Sequence, residues 1–426
     1  MVGVGLSLIM TVSIVTLGCK VNYTDSEEIT KALIDRGYRV VRDYCQADIS
    51  IVNTCVVTAR ADYQSRQAIR KARKVSPTAP VIVTGCAAVV GPERAEREQG
   101  VSAVVPPDQK AAVADIVGSL IGTPGESSRQ PARGTRTRAF LKIQEGCDGR
   151  CSYCLVPAAR GSERSIEPGE ALRRIEGLVE RGYKEIILVG THLGRYGSDL
   201  NPRLFLADLL ESITGPKSPA RFRLSSIEPM ELTDGLLAVM EKNAAITPHL
   251  HIPLQSGDDR ILAEMRRPYD REAFERVILS AVGRLKDPAL GVDVMVGFPG
   301  EGEREFEHTL KLIRDLPITY LHVFPFSRRP GTAAFSMEGQ VSGDLKKERA
   351  RILRELGRIK KEEYIKRQIG KEVSVLVEEC SDGLVWGKSP NYLEVYLAGR
   401  QDDVNSFVPV ILGRPFRDGV YGSRSL

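Results

Sequence analysis

The chain has 426 residues, 42% of them hydrophobic and 27% charged, with a formal net charge of +5. That length exceeds what one hydrophobic core supports, so two to four domains are expected, and the ordinary apolar and charged fractions exclude a disordered or collagen-like chain. Eight cysteines in so long a chain, grouped rather than evenly spread, argue against a disulfide scaffold and for metal or redox work in a reducing compartment, the cytoplasm.

Residues 1–18 carry no charge, yet they lack the basic start of a signal peptide and are interrupted by Gly, Ser and Thr. Residues 12–17 are expected as the first buried strand, 1–10 as an extension or an early start codon, and no membrane span is expected. Across 11–120, short apolar runs alternate with amphipathic stretches, the pattern of βαβ units in an open parallel-sheet domain. Three of those runs lead directly into Cys19, Cys55 and Cys86. In an open parallel sheet ligands gather beyond the carboxyl ends of the strands, so these three thiols can converge although far apart in sequence. The alternative is that each is a small buried residue at a strand end. Cys45 follows no strand and reads as an apolar filler.

Residues 121–138 have the Gly, Pro, Ser and Arg content of a linker. Over 139–367, six strand-like runs (140–143, 185–189, 221–225, 249–254, 291–296 and 320–324) alternate with helical stretches at 170–181, 204–213, 233–242, 271–285 and 303–316. This α/β repetition predicts a partial (β/α)6 barrel with its chemistry at the carboxyl ends of the strands. A charged helix over 346–367 is expected to pack through Ile352, Leu356 and Ile359. Over 368–426 the pattern changes to short alternating strands (372–377, 384–388, 393–397, 407–412 and a run near 420), predicting a small β-barrel that binds RNA as readily as not.

Cys147, Cys151 and Cys154 form a C-x3-C-x2-C run just after the first barrel strand. A structural zinc site closes its shell with four protein ligands, whereas three thiolates on an iron–sulfur cubane leave one iron open for a small molecule. The alternatives are a zinc knuckle completed by a distant ligand such as Cys380, or inert buried thiols.

With Tyr153 before the last cysteine, this run resembles the cluster loop of radical S-adenosylmethionine (SAM) enzymes. With the second triad, nearly the whole chain resembles the methylthiotransferase family of that superfamily. Leu17-Gly-Cys-Lys-Val-Asn, Gly190-Thr-His-Leu-Gly-Arg-Tyr-Gly, Leu224-Ser-Ser-Ile-Glu-Pro, His249-Leu-His-Ile-Pro-Leu-Gln-Ser-Gly and Val323-Phe-Pro-Phe-Ser-Arg-Arg-Pro-Gly-Thr are similar to the branch that modifies threonylcarbamoyladenosine (t6A) at position 37 of tRNA. Two places depart from that branch: Asn22-Tyr-Thr-Asp-Ser-Glu, which leans toward the ribosomal-protein branch, and Ala158-Ala159 before Arg160-Gly161.

The resemblance implies an N-terminal auxiliary-cluster domain, a radical SAM partial barrel and a C-terminal TRAM β-barrel. It implies that Cys147, Cys151 and Cys154 hold the SAM-cleaving 4Fe-4S cluster, and Cys19, Cys55 and Cys86 an auxiliary 4Fe-4S cluster carrying sulfur. One SAM methylates that sulfur; a second yields the 5′-deoxyadenosyl radical that initiates replacement of the hydrogen at adenine carbon 2 by a methylthio group. The implied partners are tRNA and a flavodoxin- or ferredoxin-type electron donor, and the implied state is a monomer. The competing readings are the same chemistry on a ribosomal-protein aspartate and a non-catalytic zinc- and RNA-binding protein.

Other residues are candidates by position. Gly190, Thr191, Ser226, Glu228, Gln255 and Gly297 lie at strand ends where SAM would bind, although the Gly-Gly-Glu triplet of many such enzymes is absent; turn chemistry is the competing reading. His249 and His251 alternate onto one strand face and are expected as a hydrogen-bonded interior pair rather than metal ligands. Candidate phosphate contacts are the basic stretch 66–74, Arg133, Arg136, Arg138, Arg160, Arg164, Arg328 and Arg329.

Overall fold

The computed structural model describes residues 10–124, 137–214, 218 and 220–425, and the chain divides into two compact units. Most of the expected linker, with Arg133 and Arg136, and residues 1–9 of the expected extension lie outside the described residues.

The first unit is built on five parallel strands, β1 (Thr11–Thr16), β2 (Arg39–Val41), β3 (Ile49–Thr54), β4 (Val81–Gly85) and β5 (Val101–Val105), in the order β2-β1-β3-β4-β5. Strand alternation sends Ile49 and Ile51 into one apolar layer with Val12, Leu33 and Val117, and Val52 into the other with Ile69, Ala72 and Val83. Both faces of this parallel strand are covered, which is why all six residues of β3 are buried, the polar Ser50, Asn53 and Thr54 included. Helices α1 (Lys20–Asp35), α2 (Ala59–Val75) and α3 (Pro92–Glu96) connect strands, and α4 (Val113–Ile121) follows β5. Thr58 caps α2 by accepting from the Ala61 amide at 3.0 Å, satisfying one of the donors left open at a helix start. Gly146–Ser162, which contains the short helix α5 (Val156–Arg160), and Ser327–Phe335 also belong to this unit.

The second unit contains β6 (Arg138–Glu145), β7 (Arg164–Ser165), β8 (Glu185–Gly190), β9 (Arg221–Leu224), β10 (His249–Gln255), β11 (Ala289–Val296) and β12 (Tyr320–Pro325). Strands β6-β8-β9 and β10-β11-β12 are two parallel runs linked by the isolated bridges Phe222↔Ile246 and Ser226↔His251. Helices α6 (Pro168–Glu180), α7 (Leu206–Ile213), α8 (Asp234–Lys242), α9 (Asp259–Glu264), α10 (Arg271–Arg284) and α11 (Glu303–Asp315) alternate with them. This is the expected six-stranded α/β repetition, with one large core of strand and helix residues such as Leu188, Phe222, Leu250, Phe274 and Val294.

Helix α12 (Gly343–Gln368) follows. Its packing face differs from the expectation: Ala350, Leu353 and Gly357 are buried, Ile352 and Leu356 lie at the margin, and Ile359 is exposed. Gly357 favours this contact line, since a Cβ there would lie a tight 3.1 Å from Leu321 Cβ.

Strands β13 (Glu372–Ser381), β14 (Leu384–Lys388), β15 (Glu394–Ala398), β16 (Phe407–Phe416) and β17 (Gly419–Arg424) close a small barrel in the order β13-β14-β15-β17-β16. It is fastened to the larger barrel by buried arginines. Arg221 donates to the carbonyls of Ser374 and Lys388, and Arg223 to those of Ser389 and Pro390. Both guanidinium groups are neutralised by Glu185, at 2.5 and 2.9 Å.

Candidate functional site

In the first unit, Cys19, Cys55 and Cys86 follow β1, β3 and β4, three consecutive neighbours in the sheet. Neighbouring strands lie about 4.8 Å apart, so three adjacent strand ends span only about 10 Å. With the order β2-β1-β3-β4-β5, the chain reverses direction of winding between β1 and β3, and the crevice at such a point is where doubly wound sheets receive ligands.

Glycines make the approach possible. Gly18 has φ +96°, and a Cβ there would stand 2.7 Å from Cys55 Cβ; Gly85 has φ +86°, and its Cβ would meet the Asn53 side chain and the Thr54 carbonyl at 2.3 and 2.4 Å. Both positions need the left-handed conformation and the absence of a side chain.

Side-chain amides then tie the loops together. Asn22 donates to the carbonyls of Leu17 and Thr54, both at 2.8 Å, and Asn53 donates to the Asn22 carbonyl at 2.8 Å. Ser65 accepts from the Cys55 amide at 3.0 Å and donates to its carbonyl at 2.9 Å. Burial pushes the Cys55 thiol up to about 11 and raises Cys86 as well, against the lowering influence of the Arg160 guanidinium. Loading a metal centre here therefore releases protons from thiols that burial keeps protonated.

The C-x3-C-x2-C loop lies in the same unit. The Gly149 amide donates to Cys147 Sγ at 3.3 Å and the Val156 amide to Cys154 Sγ at 3.4 Å, contacts that stabilise negative charge on sulfur. From this loop α5 carries Arg160 into a buried position against the first triad. Arg160 donates to Asp25 at 2.6 Å and to Asn22 Oδ1, and Lys110 reaches the same Asp25 at 2.8 Å. Ala159 packs with Val56 and Cys86. Both cysteine triads thus lie in one compact unit, and α5, which follows the second, reaches the loops of the first through Arg160 and Ala159. Cys55 feels the charges of both Cys86 and Cys19, and a set of three soft donors is the chemistry that suits an iron–sulfur centre keeping one iron free of protein ligands.

The strand-end candidates lie in the second unit. Thr191 Oγ1 after β8 and Gln255 Oε1 at the end of β10 are buried polar atoms without a hydrogen-bond partner among the described residues, and after β9 the same holds for Ser225 Oγ, the neighbour of the expected Ser226 rather than Ser226 itself. Polar atoms left open at three consecutive strand ends can be satisfied by water or by a polar ligand. Gln255 also has φ +63°, an uncommon conformation for a non-glycine residue. Gly190 packs against the Gln144 side chain, which accepts from the His192 amide at 2.8 Å. Ser226 is exposed. Glu228 is engaged by Arg267; its burial nevertheless raises the carboxyl above the usual range. Gly297, with φ +72°, donates its amide to Glu301 at 2.8 Å.

His249 and His251 meet the Tyr320 hydroxyl at 2.8 and 3.3 Å, and His251 in addition meets the Asp293 carboxylate at 2.8 Å, a contact the expected pair did not include. Several expected phosphate contacts are corrected. Arg160 is buried as described, Arg329 is buried beside Asp62 at 3.4 Å, and the half-buried Arg138 is paired with Glu378 at 2.7 Å; each guanidinium is already committed to a carboxylate of the chain. Arg66, Lys71 and Lys74 of α2, Arg164 and Arg328 are exposed.

Sequence reasoning missed an aromatic and basic patch on the small barrel. Trp386, Tyr396, Phe416 and Tyr421 form a chain of rings with successive centroids 6.2, 5.2 and 5.8 Å apart. Arg414 and Arg417 lie over these rings at 5.2 to 5.7 Å. Register creates the patch: Trp386 pairs with Tyr396, and Tyr396 with Tyr421. The four residues are spread over four strands, so no run of sequence displays it.

Residues 11–106 match a family described as uncharacterized protein family UPF0004, and residues 141–313 match the radical SAM superfamily. The chain is 36% identical to the threonylcarbamoyladenosine tRNA methylthiotransferase MtaB of Bacillus subtilis, over 96% of each chain. It is 34% identical to the tRNA-2-methylthio-N(6)-dimethylallyladenosine synthase of Thermobifida fusca, over 87% of this chain and 78% of that one. Among solved structures, the radical S-adenosylmethionine methyltransferase TsrM of Kitasatospora setae, with cobalamin and a [4Fe-4S] cluster bound, superposes with a TM-score of 0.55 at 16% identity, covering 76% of each chain; that likeness is one of fold.

Proposed function

The chain belongs to the radical SAM methylthiotransferase family, in its threonylcarbamoyladenosine tRNA branch, and from that premise we propose how its own residues perform the reaction. The enzyme installs a methylthio group at carbon 2 of N6-threonylcarbamoyladenosine in tRNA, with two 4Fe-4S clusters and SAM as cofactors. The two readings that competed with this one, a ribosomal-protein substrate and a non-catalytic zinc protein, are not favoured. The observation that supports the proposal is the position of Cys19, Cys55 and Cys86 just after three adjacent strands, in the unit that also bears the C-x3-C-x2-C loop.

In our assignment Cys147, Cys151 and Cys154 hold the SAM-cleaving cluster, and Cys19, Cys55 and Cys86 the auxiliary one. When bound, these groups supply a carbon radical strong enough to attack an aromatic C–H bond and the sulfur that replaces the hydrogen. The protein's own part is to bind, orient and exclude water. Thr191, Ser225 and Gln255 offer polar atoms to SAM, with Gly190 leaving room beside them. The amides of Gly149 and Val156 stabilise thiolate charge, and Arg160 fixes the loop holding Cys19 and compensates charge near Cys86. The aromatic and basic patch of the small barrel offers stacking surfaces and phosphate contacts to tRNA, together with the exposed bases of α2. Reductive SAM cleavage calls for a low-potential donor of the flavodoxin or ferredoxin type. We place the enzyme in the cytoplasm as a monomer; among the described residues no helix is long and apolar enough to cross a membrane.

The test is mass spectrometry of tRNA nucleosides from a deletion strain. Loss of methylthio-t6A, restored by the intact gene, is expected; an unchanged level of that nucleoside refutes the substrate assignment.

A further inference from the structure

Three side chains on adjacent strands of the partial barrel meet at a place that uses neither cysteine triad nor the strand-end polar atoms. His251 of β10, Asp293 of β11 and His322 of β12 each offer one ligand atom, and these atoms lie within 4.8 Å of one another. His251 Nε2 is 2.8 Å from Asp293 Oδ1, and His322 Nδ1 is 3.5 Å from the same oxygen. The register dictates the meeting. His251 pairs with Gly291, two residues before Asp293, and Asp293 pairs with His322, so all three occupy the strand face opposite the buried Val292, Val294 and Val296.

A simple ion pair would need one imidazole. Here two imidazoles converge on one carboxylate oxygen, and the first is held from behind. The Tyr320 hydroxyl contacts His251 Nδ1 at 3.3 Å and His249 Nε2 at 2.8 Å, leaving His251 Nε2 to face Asp293. An outer-shell partner on the far ring nitrogen, which fixes the tautomer and the direction of the near one, is the usual companion of a metal-binding histidine. Tyr320 has its place because residue 291 is glycine: a Cβ there would stand 2.1 Å from the Tyr320 ring.

We propose that His251, Asp293 and His322 form a binding site for one divalent cation of the zinc class. Two imidazoles and one carboxylate, all from neighbouring strands, make a facial ligand set that borderline metals accept. His251 is buried while the His322 side chain is 60% exposed, so the remaining coordination positions face solvent and take water or an anionic oxygen ligand. The site holds no thiol and is distinct from both cluster sites.

The probe is zinc itself, on the full-length chain with both clusters reconstituted anaerobically and loosely bound metal removed. The enzyme is equilibrated against buffered Zn(II), and zinc and iron are measured together. The expected result is one equivalent of zinc bound by the wild type, an affinity about tenfold or more weaker in His322→Ala, and an intermediate loss in Tyr320→Phe, within the roughly 10- to 100-fold range of outer-shell changes, with iron content unchanged throughout. His322 is exposed, so its removal does not threaten the fold; Asp293→Asn is the near-isosteric second variant. X-ray absorption at the zinc edge should show nitrogen and oxygen neighbours only. Equal zinc uptake by the wild type and His322→Ala, sulfur in the zinc shell, or no zinc uptake at all overturns the proposal, the first two marking an adventitious ion only.

Discussion

Replacing Glu185 by Gln removes the carboxylate that Arg221 and Arg223, the arginines that fasten the small barrel, share. Glu185 is fully buried, 2.5 Å from Arg221, 2.9 Å from Arg223 and 3.9 Å from Arg138. Burial alone would raise its carboxyl; the guanidinium groups of Arg223, Arg221 and Arg138 outweigh burial and hold it at about 2, against an ordinary 4.5. That difference corresponds to about 3 kcal/mol of stability at neutral pH. A second route agrees, since removing one partner of a buried ion pair costs about 3–5 kcal/mol by leaving the other charge uncompensated. Glutamine keeps the shape but not the charge, so Arg221 and Arg223 remain buried while their carbonyl partners on the small barrel carry the whole load.

The chain has a single tryptophan, Trp386, and it lies in β14, so its fluorescence in a urea titration reports on that barrel. The expected outcome for Glu185→Gln is a loss of about 3 kcal/mol, weakened tRNA binding and retained formation of 5′-deoxyadenosine from SAM. The sign of the pH dependence is fixed by the depressed carboxyl. Its contribution is complete above 4.5 and lost only as pH falls from there through about 2, so the gap between wild type and variant should stay constant between about pH 6 and 8. A gap below about 1 kcal/mol, the value of an exposed pair, or one that changes across that range, refutes the reasoning.

Three further outcomes follow from the site. Cys151→Ala should abolish 5′-deoxyadenosine formation, whereas Cys55→Ala should leave it measurable and stop the methylthiolated product; equal loss of both activities in the second variant would count against separate roles. Arg160→Gln should lower the iron retained after reconstitution and alter the electron paramagnetic resonance of the auxiliary cluster, with Arg160→Lys restoring part of each, and unchanged iron and spectra would show that Arg160 does not position that loop. Arg414→Glu combined with Arg417→Glu should weaken tRNA binding and reduce the slope of log affinity against log salt by about two; an unaltered slope would move the RNA contact off the small barrel.

What could be read along the chain is what depends on near neighbours. Alternating apolar residues mark the strands, and the spacing C-x3-C-x2-C confines three thiols to one loop whatever the rest of the molecule does. Strand-end position also made Cys19, Cys55 and Cys86 candidates for a common site. Their convergence, however, rests on β1, β3 and β4 lying side by side, an order chosen by how the two apolar layers of the sheet are covered. The same holds for charge and register. Arg160 reads as a surface base until α5 is seen to bury it against Asp25, and Ile359 reads as core until Gly357 is seen to lie on the contact line of α12. The ring of Trp386, Tyr396, Phe416 and Tyr421 and the meeting of His251, Asp293 and His322 belong to cross-strand register. Residues far apart in the chain become neighbours only after the sheets close, so no local pattern can announce them.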